Sequence, residues 1–321
     1  MTRTSAAPNG IAVARAAVDG LAARLGLPLP PEARPGADLV VRSRQHEPWP
    51  ARPPLLPTAD GWVHPGPPTA WDDFVAMATA LGAPPGGDRR FPDLRALRAE
   101  DVDAEAGAWQ LPAVAVRDAP APAPRIPEPA TRDAVRDRAV VVLGSAWATP
   151  LVGLVLARMG AHVVRVDDPR RSDPFPLAPS LRRGQSSVEL DLGRADHRDQ
   201  FATQLTLADL LVDGHPPRVR DNVGLGDDHL AVAAPRLAVL RLSAFTHEDR
   251  PGYGPAAECR GGWATRHDPP RLARSSVADP VAGLLGALTA VELLAEAAGG
   301  RARVSLEDAV GHLFAVGATD A

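Results

Sequence analysis

Asp279 is the residue whose type and setting could do chemistry most directly. It stands in the segment 275–283, SSVADPVAG, and an apolar run follows. Proline is tolerated in a first helical turn, so Pro280 predicts that Asp279 is the N-cap of a helix reaching residue 297. A capping aspartate is the plain reading and contributes ~1 kcal/mol. The same place suits a nucleophile, because a carboxylate at a helix N-terminus stays ionised and is held at the edge of a cleft. Spacing alone leaves both readings open. Other candidates carry weaker signals. Cys259, in ECRGG, has no evident base beside it. The nine histidines lack the i, i+4 spacing of a zinc helix. The chain contains no G-x-S-x-G elbow and no G-x-x-x-x-G-K-[ST] loop, which removes the usual serine hydrolases and P-loop phosphoryl transfer. All 35 basic residues are arginine, so Schiff-base chemistry has no lysine to use.

The elements that must position Asp279 centre on residues 138–169. The apolar run 139–143 reads as a strand buried on both faces, and Gly144 breaks it. Thr149 and Pro150 predict a helix start, Gly160 its end, and 163–166 a second strand. This is a βαβ unit whose helix N-terminus favours phosphate groups. A dinucleotide site would need G-x-G-x-x-G at the first turn and an acid about 20 residues on. The turn reads GSAWAT, with only its first glycine in place, so Asp167 alone argues weakly for NAD and a different phosphate-bearing ligand is expected.

Beyond this unit, strands are predicted at 187–192, 209–213, 237–242 and 302–306. Helices are expected at 196–207, 228–233, 281–297 and 307–316, with a long loop at 246–273. Alternating strands and helices predict an α/β fold with a doubly wound, Rossmann-like parallel sheet over 138–321. Residues 1–118 read as a smaller α+β lobe. Its elements include helices at 11–25, 94–97 and 104–109, a helix opening at Thr69, and strands at 61–64 and 111–116. Residues 119–129 carry five prolines and predict an extended linker within 119–137.

A length of 321 residues suits two domains or one large one, and a net charge of −4 gives no basic surface that demands nucleic acid. One cysteine excludes internal disulfides and cysteine zinc sites and points to a reducing, cytoplasmic setting. Residues 1–10 lack a signal-like apolar core, and no continuous run of 18 apolar residues occurs, so no membrane partner is expected.

Segment 138–321 resembles the N-terminal part of the class III CoA-transferases, the CaiB/BaiF type that includes formyl-CoA and carnitine CoA-transferases and α-methylacyl-CoA racemase. Residues 159–169, MGAHVVRVDDP, are similar to the family's L-G-A-D-V-I-K-V-E-x-P. Residues 182–192, RRGQSSVELDL, follow N-R-G-K-R-S-V-x-L-D-L, with Gln185 and Ser186 in place of a basic pair. Residues 208–217, ADLLVDGHPP, resemble A-D-V-L-V-E-N-F-R-P, and DRPGY is intact at 249–253. The aspartate of V-A-D-x-x-x-G-L falls on Asp279, and 300–309 match a later family motif. Residues 60–63, Trp71 and 111–118 resemble the family's small domain, which normally follows this region; the order here is permuted.

The resemblance implies CoA transfer between an acyl-CoA thioester and a carboxylic acid, with Asp279 as covalent nucleophile and no permanent cofactor or metal. Trp147, Ala148, Leu190, Gly214, His215 and Arg183 fall where the family contacts CoA. For Leu190 the plain reading is core, and for Arg165 and Arg183 it is solvated charge. Backbone N–H groups at 243–245 and near Gly261 and Gly262 are candidate oxyanion donors. A homodimer, of the kind whose two chains interlock, is implied as well. An acyl-CoA racemase and a non-catalytic CoA-binding subunit stay open; the first would want a histidine where Tyr253 stands.

Overall fold

The structure, a computed structural model, describes residues 10–38, 40, 54–86, 90–129, 131–171, 173, 175–296 and 299–319. The stretch 1–9 read for a leader lies outside them, as does the expected helix end at 297.

The first helix, α1 (Gly10–Arg24), presents Val13, Ala17, Val18 and Leu21 on one side and buries all four. A small antiparallel sheet follows: β1 (Leu56–Pro57), β2 (Trp62–His64) and β3 (Val114–Ala115), with Val63 opposite both Leu56 and Ala115. Helices α2 (Trp71–Ala80) and α3 (Ala99–Ala108) close a separate core with it around Phe74, Met77 and Val102. The packing therefore divides the expected 1–118 lobe. Residues 54–86 and 90–116 make the small α+β unit, while α1 joins the core of the larger one. Its apolar face needs a long-range partner, which no local pattern names. Residues 94–97, expected as a helix, form a turn.

The larger unit is a six-stranded parallel sheet in the order β6-β5-β4-β7-β8-β9. Its strands are β4 (Ala139–Leu143), β5 (His162–Asp167), β6 (Ser186–Glu189), β7 (Leu210–Asp213), β8 (Ala238–Ser243) and β9 (Arg301–Ser305). Between them run α4 (Ala148–Met159), α5 (Ala178–Leu181), α6 (Ala195–Leu207), α7 (Pro217–Asn222), α8 (Asp227–Ala233), α9 (Gly254–Arg260) and α10 (Ala278–Ala295), and α11 (Leu306–Thr319) closes the chain. This is the doubly wound order, and it reverses direction between β4 and β7, where such sheets open a crevice at their carboxyl ends. Side chains alternate as a pleated strand requires. Val140 and Val142 pack into the layer of α1, α4, α10 and α11, whereas Val141 and Leu143 meet Phe201, Leu205 and Leu230 on the other face.

The expected loop 246–273 contains α9, a helix too short to show a period in sequence. Helix α10 is long and apolar enough by length and composition to cross a bilayer, yet 78 % of it is buried in protein. It lies against α4 so closely that a Cβ on Gly283 would meet Leu151 Cδ2 at 2.7 Å. The proline-rich stretch does not stand free. Ala121 N–H bonds Gly261 O, and Arg24 bonds Pro127 O, so the stretch runs along α9 and α1.

Leu151 is fully buried in this contact. Leu151→Ala is expected to destabilise the protein by about 2–5 kcal/mol through lost burial and a cavity, read as a lower urea midpoint with unchanged slope.

Candidate active site

The carboxyl ends of β4, β5, β7 and β8 open into a cleft of about 710 Å³. Its floor forms where α4 enters the sheet. The helix begins at Ala148, and its N-cap is Trp147, which makes no side-chain capping bond. Thr149, expected as the cap, instead lies under the β7 turn: a Cβ on Gly214 would stand 2.4 Å from Thr149 Oγ1. Glycine at 214 is thus what lets the two turns meet at the switch point. Trp147 is fixed from outside the sheet, its indole N–H donating to Glu32 O at 2.8 Å.

Trp147, Ala148, Leu190, Gly214, His215 and Asp279 all border this one cleft. Arg183 does not. It forms an ion pair with the buried carboxylate of Glu32, and its neighbour Arg182 borders the cleft instead. His215 is aimed by Asp213, which is fully buried at the end of β7 and accepts from His215 N–H at 3.0 Å. His215 Nδ1 lies 2.8 Å from the same oxygen, Asp213 Oδ1. Arg241 from β8 engages the other oxygen of Asp213 and also Asp227 at 2.8 Å. An ionised pair this deep persists because each charge meets a partner.

Arg165, read above as a solvated charge, is 2 % exposed. It reaches Asp167 Oδ1 at 2.6 Å, and its Nη1 is buried without a hydrogen-bond partner while the residue borders the cleft. A buried guanidinium with an unspent donor is a natural anion ligand. The same bond engages Asp167, the acid that a nicotinamide dinucleotide would require. Of the expected oxyanion donors, Ser243 and Ala244 border the cleft. The N–H groups of Gly261 and Gly262 instead bond Ala257 O and Cys259 O in the last turn of α9.

Asp279 borders the same cleft, half-buried. It is not the N-cap. Helix α10 begins one residue earlier, at Ala278, with Val277 before it. The capping acceptor comes from another element: Glu258 of α9, buried, takes Val277 N–H at 2.7 Å, Ala278 N–H at 3.3 Å and the Ser276 hydroxyl at 2.7 Å, all on Oε1. With the cap already supplied, Asp279 is released from that duty. Its own N–H reaches Ser276 Oγ at 3.4 Å. Gly254 makes room for both groups, since a Cβ there would lie 2.0 Å from Ser276 Oγ and 2.1 Å from Asp279 Oδ2. Burial pushes the Asp279 carboxyl up to about 6, with a smaller push from Asp38, while the Ser276 hydroxyl opposes the rise. Asp38 itself comes from the N-terminal segment and accepts from the Ser275 hydroxyl at 2.6 Å. The cleft therefore carries a partly desolvated carboxylate and several arginines, Arg165 and Arg182 among them.

Residues 135–316 match the profile of CoA-transferase family III. The chain is 27% identical over 178 residues to a succinyl-CoA–D-citramalate CoA-transferase of Chloroflexus aurantiacus, covering 49% of this chain and 44% of that protein. It is 30% identical over 135 residues to the probable fatty acyl-CoA transferase Rv3272 of Mycobacterium tuberculosis, covering 37% and 34%. The crystal structure of Rv3272 superposes with a TM-score of 0.50 at 25% identity over 56% of each chain. A CaiB/BaiF family protein of Brucella suis shares the fold at 21% identity with the same score, over 58% of this chain and 56% of that one. The chain spans less than half the length of these curated relatives. The profile covers more than half of the chain, with the cleft and Asp279 inside it, and the chain belongs to CoA-transferase family III.

Proposed function

We propose that the protein transfers CoA from an acyl-CoA thioester to a carboxylic acid through a covalent intermediate on Asp279. The observation that carries this reading is the placement of a partly desolvated carboxylate in one cleft with Arg165 and Arg182. The arginines suit the phosphates of CoA. The carboxylate suits the reacting carbonyl, because loss of hydration raises its reactivity as a nucleophile.

In the first step the Asp279 carboxylate adds to the thioester carbonyl. The C–S bond breaks, and a mixed anhydride and CoA thiolate form. The thiolate then attacks the aspartyl carbonyl of the anhydride, releasing the first acid as its carboxylate and leaving an aspartyl-CoA thioester. The acceptor carboxylate repeats the sequence in reverse and leaves as the new thioester. No net proton or electron is exchanged. The protein's work is to hold reactants together and exclude water. Gly254 and Ser276 flank the carboxylate, and Tyr253 borders the same cleft. A racemase on this scaffold would need a proton-transfer histidine where Tyr253 stands, and that reading is not favoured. A homodimer is proposed on the resemblance alone, and a cytoplasmic setting on the single, buried, free Cys259.

Asp279→Asn should fold as the parent does and lose at least 10³-fold in transfer, because an amide cannot form the anhydride. Hydroxylamine or borohydride after acyl-CoA should mark Asp279 in the parent alone; a mark on another residue refutes the assignment. Only the ionised carboxylate attacks, and its folded value lies near 6. The kcat/KM for acyl-CoA should therefore be flat above that pH and fall tenfold per unit below it, whereas a limb near 4 would mean a solvated aspartate. Calorimetry should find CoA bound more tightly than NAD, and light scattering should give twice the monomer mass.

A further inference from the structure

Glu258 is unused by the transfer steps above, yet it is among the most buried charged side chains described, at 1 % exposed. It sits directly behind Asp279. One of its oxygens collects three donors, the Ser276 hydroxyl and the N–H groups of Val277 and Ala278. The first turn of α10, which carries Asp279, is thus fastened to α9 through this carboxylate. Ser276 stands between the two acids. Its hydroxyl donates to Glu258, and its oxygen faces Asp279 Oδ2 across the space that a side chain on Gly254 would fill. A hydroxyl has one proton, so Ser276 can serve only one of the two carboxylates at a time.

We propose that Glu258 is the positioning residue for Asp279: through Ser276 and the first N–H groups of α10 it fixes the nucleophile's place, with the Ser276 hydroxyl shared between the two acids. With Glu258 charged, the Ser276 proton points away from Asp279, and two negative groups share a dry pocket. With Glu258 neutral, the hydroxyl is free to turn to Asp279 and support its charge. Once Asp279 is acylated it is neutral, and Glu258 can hold its charge without opposition.

The groups facing the pair agree with this. Burial pushes Glu258 up to about 7, its three hydrogen bonds pull it down, and Asp279 adds to the rise. From the N-terminal segment Asp38 faces Asp279. On α9, the Cys259 thiol is raised well above its usual value by burial and by Glu258. Arg260 is turned to Glu248, and from α11 Glu307 lies 4.0 Å from Arg260. Carboxylates therefore dominate the field at the pair, and a change in one is felt by the other.

This rests on the transferase reading for its purpose, but its first test needs no turnover. Protein carrying carboxyl-labelled aspartate and glutamate is titrated by carbon NMR, with the two signals assigned from Asp279→Asn and Glu258→Gln. Asp279, up at about 6, ionises below Glu258, up at about 7, so Glu258 titrates against a charged neighbour. Asp279→Asn should therefore lower the Glu258 midpoint, and Ser276→Ala should raise both midpoints by removing a donor from each. Shifts in those senses support the shared hydroxyl; midpoints that neither variant moves overturn it. In kinetics, Glu258→Ala should lower kcat for transfer by about tenfold with KM for acyl-CoA little changed, and Glu258→Gln, which keeps an acceptor oxygen, should restore most of that loss. Equal losses in the two variants would overturn the positioning role. Midpoint shifts without transfer in the parent protein would refute the transferase reading and leave the pairing standing.

Discussion

A helix that starts inside a protein must find acceptors for its first N–H groups, and at the start of α10 both Val277 and Ala278 are buried. Unpaired, each such donor would cost about 1–3 kcal/mol. The chain answers with Glu258 from α9. Much else at the site follows from that choice. The residue at the second helical position is freed from capping and can face the cleft. The acceptor brings a second acidic group into the same dry region, so both carboxyls lie above their usual range. Gly254, at the start of α9, must lack a side chain because the two oxygens occupy its place.

The sheet contributes a second constraint of equal generality. A doubly wound order opens a crevice where its direction reverses, and here β4 and β7 are the strands on either side. Gly214 and Thr149 close the floor of that crevice, and Asp213 and Arg241 brace it from below. The floor of the cleft and the setting of Asp279 are thus built by different devices. One is a backbone turn supported by a buried ion pair, the other a helix start supported by a borrowed carboxylate.

How much of this was legible in the sequence depends on range. The strands were readable because a parallel sheet buried on both faces writes itself as unbroken apolar runs, such as 139–143. The cleft residues around Asp279 were readable because they lie at the ends of such runs. Glu258 was not readable. It belongs to a helix of 7 residues inside a segment rich in glycine and arginine, and its partner lies 18 residues on in sequence. Arg165 looked like a surface charge because, although Asp167 lies two residues on along the same strand face, nothing local reveals that this face is covered. Helix α1 showed its amphipathic face, but not that the face would be spent on α10 and α11 rather than on its sequence neighbours.

The small lobe is joined to the larger unit by charge. Asp103 of α3 takes Arg250 through its carboxylate and its carbonyl, and Arg260 lies 3.7 Å from the same carboxylate. Both arginines also stack on Phe245, at 5.2 and 5.1 Å. Arg250 precedes the turn bearing Tyr253, and Arg260 ends the helix bearing Glu258. The lobe is therefore anchored on the two segments that flank Asp279. Lifting it would strand two guanidinium groups in a low-dielectric seam, a penalty that bulk salt screens poorly. The seam between the small lobe and the larger unit is latched by electrostatics, and any parting of the two must carry those arginines with the lobe or rehydrate them.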